Sequence, residues 1–513
     1  MLVEAKDSMG GWLDFYFGRG LRILEGNGLW CGCLLNILIA LPLSSCAPLS
    51  GQQQTDGPGH RLNFEELEQV VLGLGDVRAS ISAASPHHGN PETLLAQLDL
   101  VAEVFQLTRA NYISFVPEEF LVSQFLNGIA RVGNVDASGG PSSLSDTVGK
   151  SLQHMLRQLD PHSDYLAPSD FQHIQAKTKG KFSGVGVEMI MERGYVKCVA
   201  VIPDTPASRS AIRPGDMISH IDGMSLKGIS LMDVAGMIRG PVGTTVMLKL
   251  SRYDITDSFE IAIVRDVIRV NTIEARMEEG IGYVRISSFN ENTHEALLEK
   301  VRGLTLGLDG QMLGLVMDLR NNPGGLLDQA LRVSDAFLTT GNIVSVIGRV
   351  NVDDRSFKAD PEEIAGGIPL AVLINGSTAS AAEIVSGALK DRGRAIVLGQ
   401  RSFGKGSVQS IIPLSEGNGA LRLTTSRYYL PSGRSIQVHG VAPDIVDATP
   451  SHSSREIDLE NFLLPENQGL AGGSVTLSEV CPGSRKTNDP VLSCAAQTLK
   501  SHFFSAHSVR LAQ

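Results

Sequence analysis

The chain has 513 residues, a formal net charge of −11, 42% hydrophobic residues and 19% charged residues. This length exceeds what one hydrophobic core can organise, so we expect several domains. The hydrophobic and charged fractions exclude a disordered chain and a membrane protein with many spans. An acidic balance without a basic stripe argues against nucleic acid as the main partner.

The N-terminus carries an apolar stretch from Leu29 to Leu43, preceded by two arginines. This stretch is short for a membrane-spanning helix and is typical of the central part of an export signal. It ends next to Cys46, in a Leu-Ser-Ser-Cys sequence that resembles a bacterial lipobox. We predict a lipoprotein-type signal peptide over 1–46 with Cys46 as the lipidation site, and a plain secretory signal remains the alternative. The chain would then reach the periplasm or cell envelope of a bacterium, and the lipid would hold it at the membrane surface.

Two segments separate this signal from the first β-rich region. Residues 47–90 begin with glycine, proline and glutamine and are predicted as a tether. From 91 to 175, apolar residues recur at helical spacing, for example between Leu95 and Phe105. This pattern predicts an N-terminal helical region.

Residues 176–268 consist of short β-rich runs punctuated by glycine, with a helical segment at Leu231–Ile238. The phrase Arg213-Pro214-Gly215-Asp216 and the length of the segment resemble a PDZ domain. A small β-barrel with structural glycines is the alternative. In a PDZ domain, a glycine loop holds the terminal carboxylate of a peptide through backbone N–H groups, and the adjoining strand edge pairs with the peptide. We expect this substrate-binding loop at Gly184, Val185, Gly186 and Val187.

Strands and helices alternate through 269–447, which predicts parallel strands joined by crossover helices. The predicted strands are Ile281–Ile286, Leu313–Leu319, Leu370–Ile374 and Ala395–Leu398.

The end of this region and the segment after it have a different pattern. Segments 421–430 and 434–439 are predicted to form an antiparallel pair across a Pro-Ser-Gly turn. Residues 448–513 are predicted to be a short C-terminal tail with a helix near 490–503.

Ser380 lies between the strand Leu370–Ile374 and a helix that begins at Ala381. A serine at this position is often only an N-cap. The same helix start also offers backbone N–H groups and a positive dipole end, which suit a developing oxyanion. Ser380 is therefore a candidate nucleophile, and Ser377 in the preceding loop competes with it.

Lys405 follows an apolar strand and has a glycine on each side. A solvated surface lysine is the common alternative, but the glycines permit close approach to other backbone. To act as a base the amine must be neutral, so burial or nearby positive charge must lower its pKa from about 10.4. Gln409, four residues later, would orient the amine. The Gly324 N–H, in a glycine-rich turn, would complete an oxyanion hole with that of Ala381, and a simple βα turn is the alternative.

Together these segments resemble the carboxyl-terminal processing proteases, or tail-specific proteases, of bacteria and chloroplasts. Lys405 stands 25 positions after Ser380, as in that family. The resemblance covers about 95–447. The motifs that carry it are Leu159–Ser163, the PDZ phrases, Asp318–Gly325, Ser380–Ile384, Phe403–Gln409 and Val441–Asp444.

The resemblance implies a multidomain α/β protein with a helical region, a PDZ domain over 176–268, a ClpP/crotonase-like serine protease core over 269–447 and a C-terminal tail. It implies Ser380 as nucleophile, Lys405 as general base and Gln409 as its orienting partner. Arg239, after the PDZ helix, resembles a position suspected of linking peptide occupancy to the active site, and a surface turn residue is the alternative.

The expected activity is a serine endopeptidase that recognises unstructured, apolar C-termini of proteins. We expect no cofactor and no metal. The resemblance suggests a homodimer through the helical termini. A catalytically silent PDZ scaffold is the alternative function. In an exported chain, Cys481 and Cys494 would form a disulfide that closes a short loop, and two unpaired thiols are the alternative.

Overall fold

The structure is a computed structural model in which the N-terminal part is not described. The described residues are 77, 79–80, 91–135, 143–192, 194–253, 255–306, 312–349, 354–450, 453–466, 475–484 and 487–511. The predicted signal peptide over 1–46, with Cys46, lies outside them, as does most of the predicted tether. Val77 is an exception, because it is helical and fully buried in the core of the helical region. The tether prediction over 47–90 is therefore wrong at Val77.

Within the described residues from 91 to 179, the helical region has four helices and one short strand. The helices are α1 (Pro91–Asn111), α2 (Glu118–Val135), α3 (Leu144–Arg157) and α4 (Pro168–Lys179), and the strand β1 (Asp164–Leu166) lies between the last two. Ser143 begins α3 by accepting the N–H of Asp146 at 3.1 Å. The buried residues of the helices form one cluster with Leu421 and Leu423 of the α/β domain.

The second region has the PDZ arrangement that the sequence predicts. Its strands are β2 (Lys181–Gly184), β3 (Val187–Glu192), β4 (Tyr195–Val201), β5 (Met217–Ile221), β6 (Met224–Ser225), β7 (Thr245–Arg252), β8 (Ile255–Val264) and β9 (Asp266–Arg269), with helix α5 at Leu231–Ile238. The main sheet has the order β3-β4-β5-β7-β8, so β3 lies at its edge. Alternate residues of β7 are buried, as expected for a sheet with one face on a core.

A seven-stranded sheet forms the centre of the α/β domain. Its strands, in spatial order, are β10 (Ile273–Glu278), β11 (Ile281–Ile286), β12 (Gly314–Asp318), β15 (Leu370–Ile374), β16 (Ala395–Gly399), β19 (Ile445–Val446) and β20 (Val475–Thr476). Strands β11, β12, β15 and β16 are parallel, as predicted. Strands β19 and β20, which were not predicted, extend the parallel order. The crossover helices are α6 (Thr293–Leu306), α7 (Leu327–Asp335) and α8 (Ala381–Asp391). All residues of β12 and β15 are buried, which is typical of parallel strands covered on both faces.

A second sheet has the order β1-β18-β13-β14, and β17 also pairs with β18. The new strands are β13 (Asn342–Gly348), β14 (Arg355–Lys358), β17 (Ser407–Pro413) and β18 (Ala420–Tyr429). Strand β18 pairs antiparallel with β1, β13 and β17. The antiparallel pair predicted for 421–430 and 434–439 is present only as one bridge, between Tyr429 and Ser435. Segment 434–439 is a loop with one isolated bridge, because Val438 has a positive φ of 67° that no strand ladder accommodates.

The segment 448–513, predicted as a tail, completes the α/β domain. It supplies β20, the short helix α9 (Leu477–Val480) and the long helix α10 (Pro490–Leu511). Cys494 and Leu499 of α10 are buried against one face of the large sheet. A disulfide joins Cys494 to Cys481, with the Cα atoms 5.5 Å apart. None of the helices in the described ranges combines the length and the apolar character needed to cross a membrane.

We predict that reducing this disulfide destabilises the protein. A cross-link across a loop of this size is worth about 3 kcal/mol, because it limits the unfolded chain. Urea unfolding of the wild type with and without dithiothreitol should show this loss in the free energy of unfolding. The Cys481→Ala/Cys494→Ala variant is the control, since its unfolding should not respond to the reductant. An equal response of both proteins would contradict the prediction.

Candidate active site

Three loops meet at the carboxyl edge of the parallel sheet. Gly324 follows β12, Ser380 follows β15 and Lys405 follows β16, and these strands are neighbours in that order. The carboxyl ends of parallel strands share one edge, where α/β proteins bind their ligands. Backbone hydrogen bonds of 2.9 and 3.0 Å join the three loops. The structure therefore brings the predicted site residues of three separate segments together.

Ser380 stands at the head of α8 in a strained backbone conformation. Its φ is 54° and its ψ −117°, a region that non-glycine residues rarely adopt and that costs about 1–3 kcal/mol. The residue is partly exposed, so the hydroxyl is within reach of a substrate. That hydroxyl forms a hydrogen bond with the hydroxyl of Tyr428, which is buried. Burial raises the pKa of Tyr428 to about 12, and the hydrogen bond with Ser380 opposes this rise. Ser377, the competing candidate, is exposed and lies 3.3 Å from the hydroxyl of Ser453.

One buried carboxylate connects the serine to the lysine. The Oε2 atom of Glu383 accepts the backbone N–H of Ser380 at 2.8 Å and that of Lys405 at 2.9 Å. Its Oε1 atom accepts the N–H of Gly404 at 2.8 Å and the hydroxyl of Ser402. Burial raises the pKa of Glu383 to about 7, although the four hydrogen bonds lower it. The loop that carries the lysine is thus tied to the first turn of α8.

The Lys405 amine lies in an environment that favours its neutral form. Burial lowers its pKa to about 8. The carboxylate of Glu456 raises the pKa, the guanidinium of Arg422 lowers it, and the carboxylates of Asp160 and Glu383 raise it again. Burial outweighs these carboxylates, because it removes the water that stabilises an ammonium ion.

A second set of contacts holds the lysine loop from the C-terminal segment. Gln437 accepts the N–H of Gly406 at 2.9 Å and donates its own amide N–H to Glu456 at 2.9 Å. The backbone N–H of Glu456 donates to the carbonyl of Phe403 at 3.1 Å. The Glu456 carboxylate is fully buried, and His162 Nε2 lies 2.9 Å from its Oε2 atom. The helical region, through His162, therefore reaches the lysine loop.

Gln409 lies on β17 opposite Thr424. Its Nε2 atom donates to the hydroxyl of Ser407 at 2.9 Å and to that of Thr424 at 3.2 Å. Thr424 in turn donates to Asp160 Oδ1 at 3.0 Å. Because the amide nitrogen donates to these two hydroxyls, Oε1 is the atom with which Gln409 would accept a hydrogen bond from the lysine amine. That role stays a prediction.

The predicted oxyanion donors lie beside the serine. A Cβ on Gly324, whose φ is 100°, would stand 2.9 Å from the Cβ of Ser380 and 3.0 Å from the nitrogen of Ala381. Only glycine fits such a close approach. The Gly324 N–H donates to Asn322 Oδ1 at 2.8 Å, so it is engaged within its own turn in this structure. Ala381 is the first residue of α8, where helix N–H groups lack intrahelical partners.

The predicted substrate-binding loop of the PDZ domain, residues 184–187, joins β2, which ends at Gly184, to β3, which begins at Val187. We call it the carboxylate loop, because it is predicted to bind the terminal carboxylate of a peptide. The side chain of Val185 is fully buried and anchors the loop. Gly186 has a φ of 86°, and a Cβ there would lie 2.3 Å from the side chain of Thr205. The loop therefore needs glycine at that position.

Arg239 lies beside this loop. Its guanidinium stands 5.2 Å from the ring centroid of Phe182, a cation–π distance. Phe182 belongs to β2, which leads into the loop. The contact is compatible with a response to bound peptide, and coupling to the active site stays a prediction.

No role was predicted for Glu383, Tyr428, His162 or Glu456. Glu383 had a local signal, since a glutamate three residues after a serine at a helix start is a capping box. His162 lies in a quoted motif, but nothing in it indicates a partner almost 300 residues away. Glu456 and Tyr428 have no local signal, because their roles depend on long-range packing.

Two family models match the chain. Residues 280–447 match the model described as peptidase family S41, and residues 198–252 match a PDZ domain.

Several curated proteins are similar over most of the chain. A carboxy-terminal-processing protease of Bartonella bacilliformis is 41% identical over 389 residues, which cover 75% of this chain and 83% of the relative. A carboxyl-terminal-processing protease of Synechocystis is 34% identical over 316 residues, covering 60% of this chain and 72% of the relative. Among solved structures, a photosystem II D1 C-terminal processing protease is 28% identical with a TM-score of 0.41, covering 68% of this chain and 92% of that one.

We predict that Glu383→Gln destabilises the protein and disrupts the site. Each carboxylate oxygen of Glu383 accepts two hydrogen bonds. In glutamine an NH2 group replaces one of these oxygens, so two of the four donors would face another donor. We expect the free energy of unfolding to fall by about 2–4 kcal/mol, measured by urea unfolding. The exposed Glu362→Gln is the matched control and should unfold like the wild type. A Glu383→Gln variant as stable as this control would refute the role of the carboxylate.

Proposed function

This chain belongs to the carboxy-terminal-processing proteases of peptidase family S41, and from that premise we propose that it is an exported serine endopeptidase that recognises apolar C-terminal tails of proteins and cleaves them through an acyl-enzyme. The observation that carries the proposal is the Glu383 carboxylate, which accepts from the backbone of both Ser380 and Lys405. Export rests on the apolar segment near the N-terminus of the sequence.

In the proposed reaction, Ser380 Oγ attacks the scissile carbonyl carbon and its proton passes to Lys405 Nζ. The negative oxygen of the tetrahedral intermediate accepts the N–H groups of Ala381 and Gly324, the latter after it leaves its partner in the turn. Lys405 then protonates the leaving amine, and the acyl group remains on Ser380. Water, deprotonated by Lys405, releases the acyl group and restores the serine. Gln409 orients the lysine amine through its carbonyl oxygen.

Two features support these roles. The lowered pKa of Lys405, about 8, leaves about one tenth of the amine neutral at pH 7, far more than an ordinary lysine with a pKa of about 10.4. The strained φ of Ser380 presents its hydroxyl at the start of α8.

The serine and lysine side chains have to approach each other for the reaction. Within the described residues, no hydrogen bond joins Ser380 Oγ to Lys405 Nζ, and the serine hydroxyl pairs with Tyr428. Proton transfer requires the amine within hydrogen-bond reach of the hydroxyl. We infer that bound substrate favours an arrangement in which the Ser380 hydroxyl forms its hydrogen bond with Lys405 Nζ instead of with the Tyr428 hydroxyl.

Substrate recognition is assigned to the PDZ domain. Strand β3 lies at the edge of its sheet and follows the carboxylate loop directly. An extended peptide can therefore add to this edge while its terminal carboxylate meets the loop N–H groups. Met191 on β3 is an exposed large apolar side chain on the strand face that it shares with Val187 and Met189, which suits an apolar tail.

We predict that Ser380→Ala and Lys405→Ala each abolish cleavage of a tagged protein that ends in small apolar residues. Each removes one partner of the proton transfer, and loss of either should cost at least about 10³-fold in rate. The products are measured by mass spectrometry, and circular dichroism checks that each variant is folded.

Ser377→Ala is the matched control, since this exposed serine is nearby and has no role in the reaction. A substrate with two C-terminal aspartates tests the apolar preference. Full activity of either Ser380→Ala or Lys405→Ala would overturn the mechanism. Peptide binding without cleavage by the wild type would favour the silent scaffold.

We predict that Glu456 sets the pH dependence of the rate. The base is the neutral amine, so kcat/KM should rise with pH until it passes the Lys405 pKa of about 8. The Glu456 carboxylate raises that pKa, so Glu456→Gln should move the rising limb to lower pH. The measurement is a kcat/KM profile between pH 5.5 and 10 on a fluorogenic peptide.

The exposed Glu460→Gln is the control for the loss of one negative charge in the same segment. A purely structural role of Glu456 would lower the rate at every pH and leave the limb in place. A limb that does not move, or moves to higher pH, would contradict the prediction.

A further inference from the structure

A cavity of about 350 Å³ lies next to the loop 434–440. Guanidinium groups of Arg401, Arg434 and Arg455 line it, together with apolar side chains such as Leu430. We call this space the arginine cavity. Three cations around one small space are unusual in a chain whose formal net charge is −11.

Only one of these cations is neutralised by a carboxylate. Arg434 pairs with Asp391 at 2.6 Å. In the part of the chain that the structure describes, Arg401 and Arg455 form no ion pair. Their Nη atoms donate to the backbone carbonyls of His439 at 3.0 Å and Val438 at 2.8 Å, respectively. Carbonyl groups carry only partial negative charge, so two positive charges face the cavity.

The Nε atom of Arg455 is a second indication of a missing partner. It is buried and has no hydrogen-bond partner among the described residues. Buried polar atoms in native proteins are generally hydrogen-bonded, so such an atom calls for an explanation. Burial lowers the pKa of Arg401, and the charges of Arg455 and Arg434 lower it further. The cations repel one another, and an anion between them would remove this repulsion.

We propose that the arginine cavity binds a small oxyanion, either a carboxylate or a phosphate group, through Arg401 and Arg455. A guanidinium presents two parallel N–H groups that match the oxygens of either ligand. The carboxylate would belong to the end of a short peptide, and the phosphate would be free in solution.

The arginine cavity is connected to the catalytic lysine through Val438. The carbonyl of Val438 accepts from Arg455, and its N–H donates to the carbonyl of Gly404 at 2.8 Å, one residue before Lys405. Val438 is a β-branched residue with a φ of 67°, a strained conformation that the surrounding contacts must hold. An anion that draws the Arg455 guanidinium away from Val438 would loosen this support, so occupancy is expected to alter cleavage.

Binding is tested by isothermal titration calorimetry on the full chain with Ser380→Ala, which prevents cleavage of a peptide ligand. The probes are inorganic phosphate, acetyl-alanyl-alanine and the C-terminal amide of that peptide. We expect phosphate or the free-acid peptide to bind, and Arg401→Gln/Arg455→Gln to weaken that binding at least tenfold. The PDZ domain is unchanged in both proteins, so only binding lost in the double variant counts.

The matched control is Arg302→Gln, which removes one charge from an exposed arginine on α6. If the double variant loses phosphate binding, the ligand of the cavity is an inorganic anion. If it loses binding of the free-acid peptide, the ligand is a peptide carboxylate. Equal binding of both probes by the double variant and the control overturns the proposal. If the double variant unfolds, Arg401→Gln alone carries the test, because Arg401 is exposed.

The link to catalysis is tested with the chain that retains Ser380. The rate of cleavage of an uncharged fluorogenic peptide is followed while the bound anion is added. We expect at least a twofold change in kcat that is absent in Arg401→Gln. Binding without any change in kcat overturns the link but retains the site. Because binding is measured without cleavage, its outcome does not depend on the proposed protease activity.

Discussion

The candidate active site depends on the buried carboxylate of Glu383. It lies in the first turn of α8, and one of its oxygens accepts the backbone N–H of Ser380 and of Lys405. A buried charge is stable only when its hydrogen bonds are complete, so the four donors and the carboxylate require one another. This requirement fixes two loops that follow separate strands. It also holds Ser380 in a backbone conformation that a serine would otherwise avoid.

The lysine loop is held from two sides by different parts of the chain. Glu383 binds the N–H groups before and at the lysine, and Gln437 binds the N–H of Gly406 just after it. Glu456 supports Gln437 and is itself 2.9 Å from His162 of the helical region. The helical region and the C-terminal segment thus contribute to the environment of Lys405. The predicted boundary at residue 447 therefore separates Glu456 from Gln437 and the lysine loop, although Glu456 hydrogen bonds to both.

Local patterns predicted most of the central fold. The runs Leu370–Ile374 and Leu231–Ile238 were predicted with their observed bounds, because apolar runs and helical periodicity are local properties. The antiparallel pair of 421–430 and 434–439 was predicted too long, since only Tyr429 and Ser435 form a bridge and the chain turns with a positive φ at Val438. Ser380 and Lys405 were predicted from their local sequence context and from the resemblance to a known protease family. The partner of His162 could not be, because it is chosen by tertiary packing.

The charges around Lys405 oppose each other in a way that links stability to chemistry. Burial makes the ammonium form costly, and the carboxylates of Glu456, Asp160 and Glu383 favour it. Full burial without these carboxylates would lower the pKa further and weaken the amine as a base. A fully solvated lysine would stay protonated near neutral pH. The helical region supplies Asp160 and the C-terminal segment supplies Glu456, so both act on the basicity of an amine that neither carries.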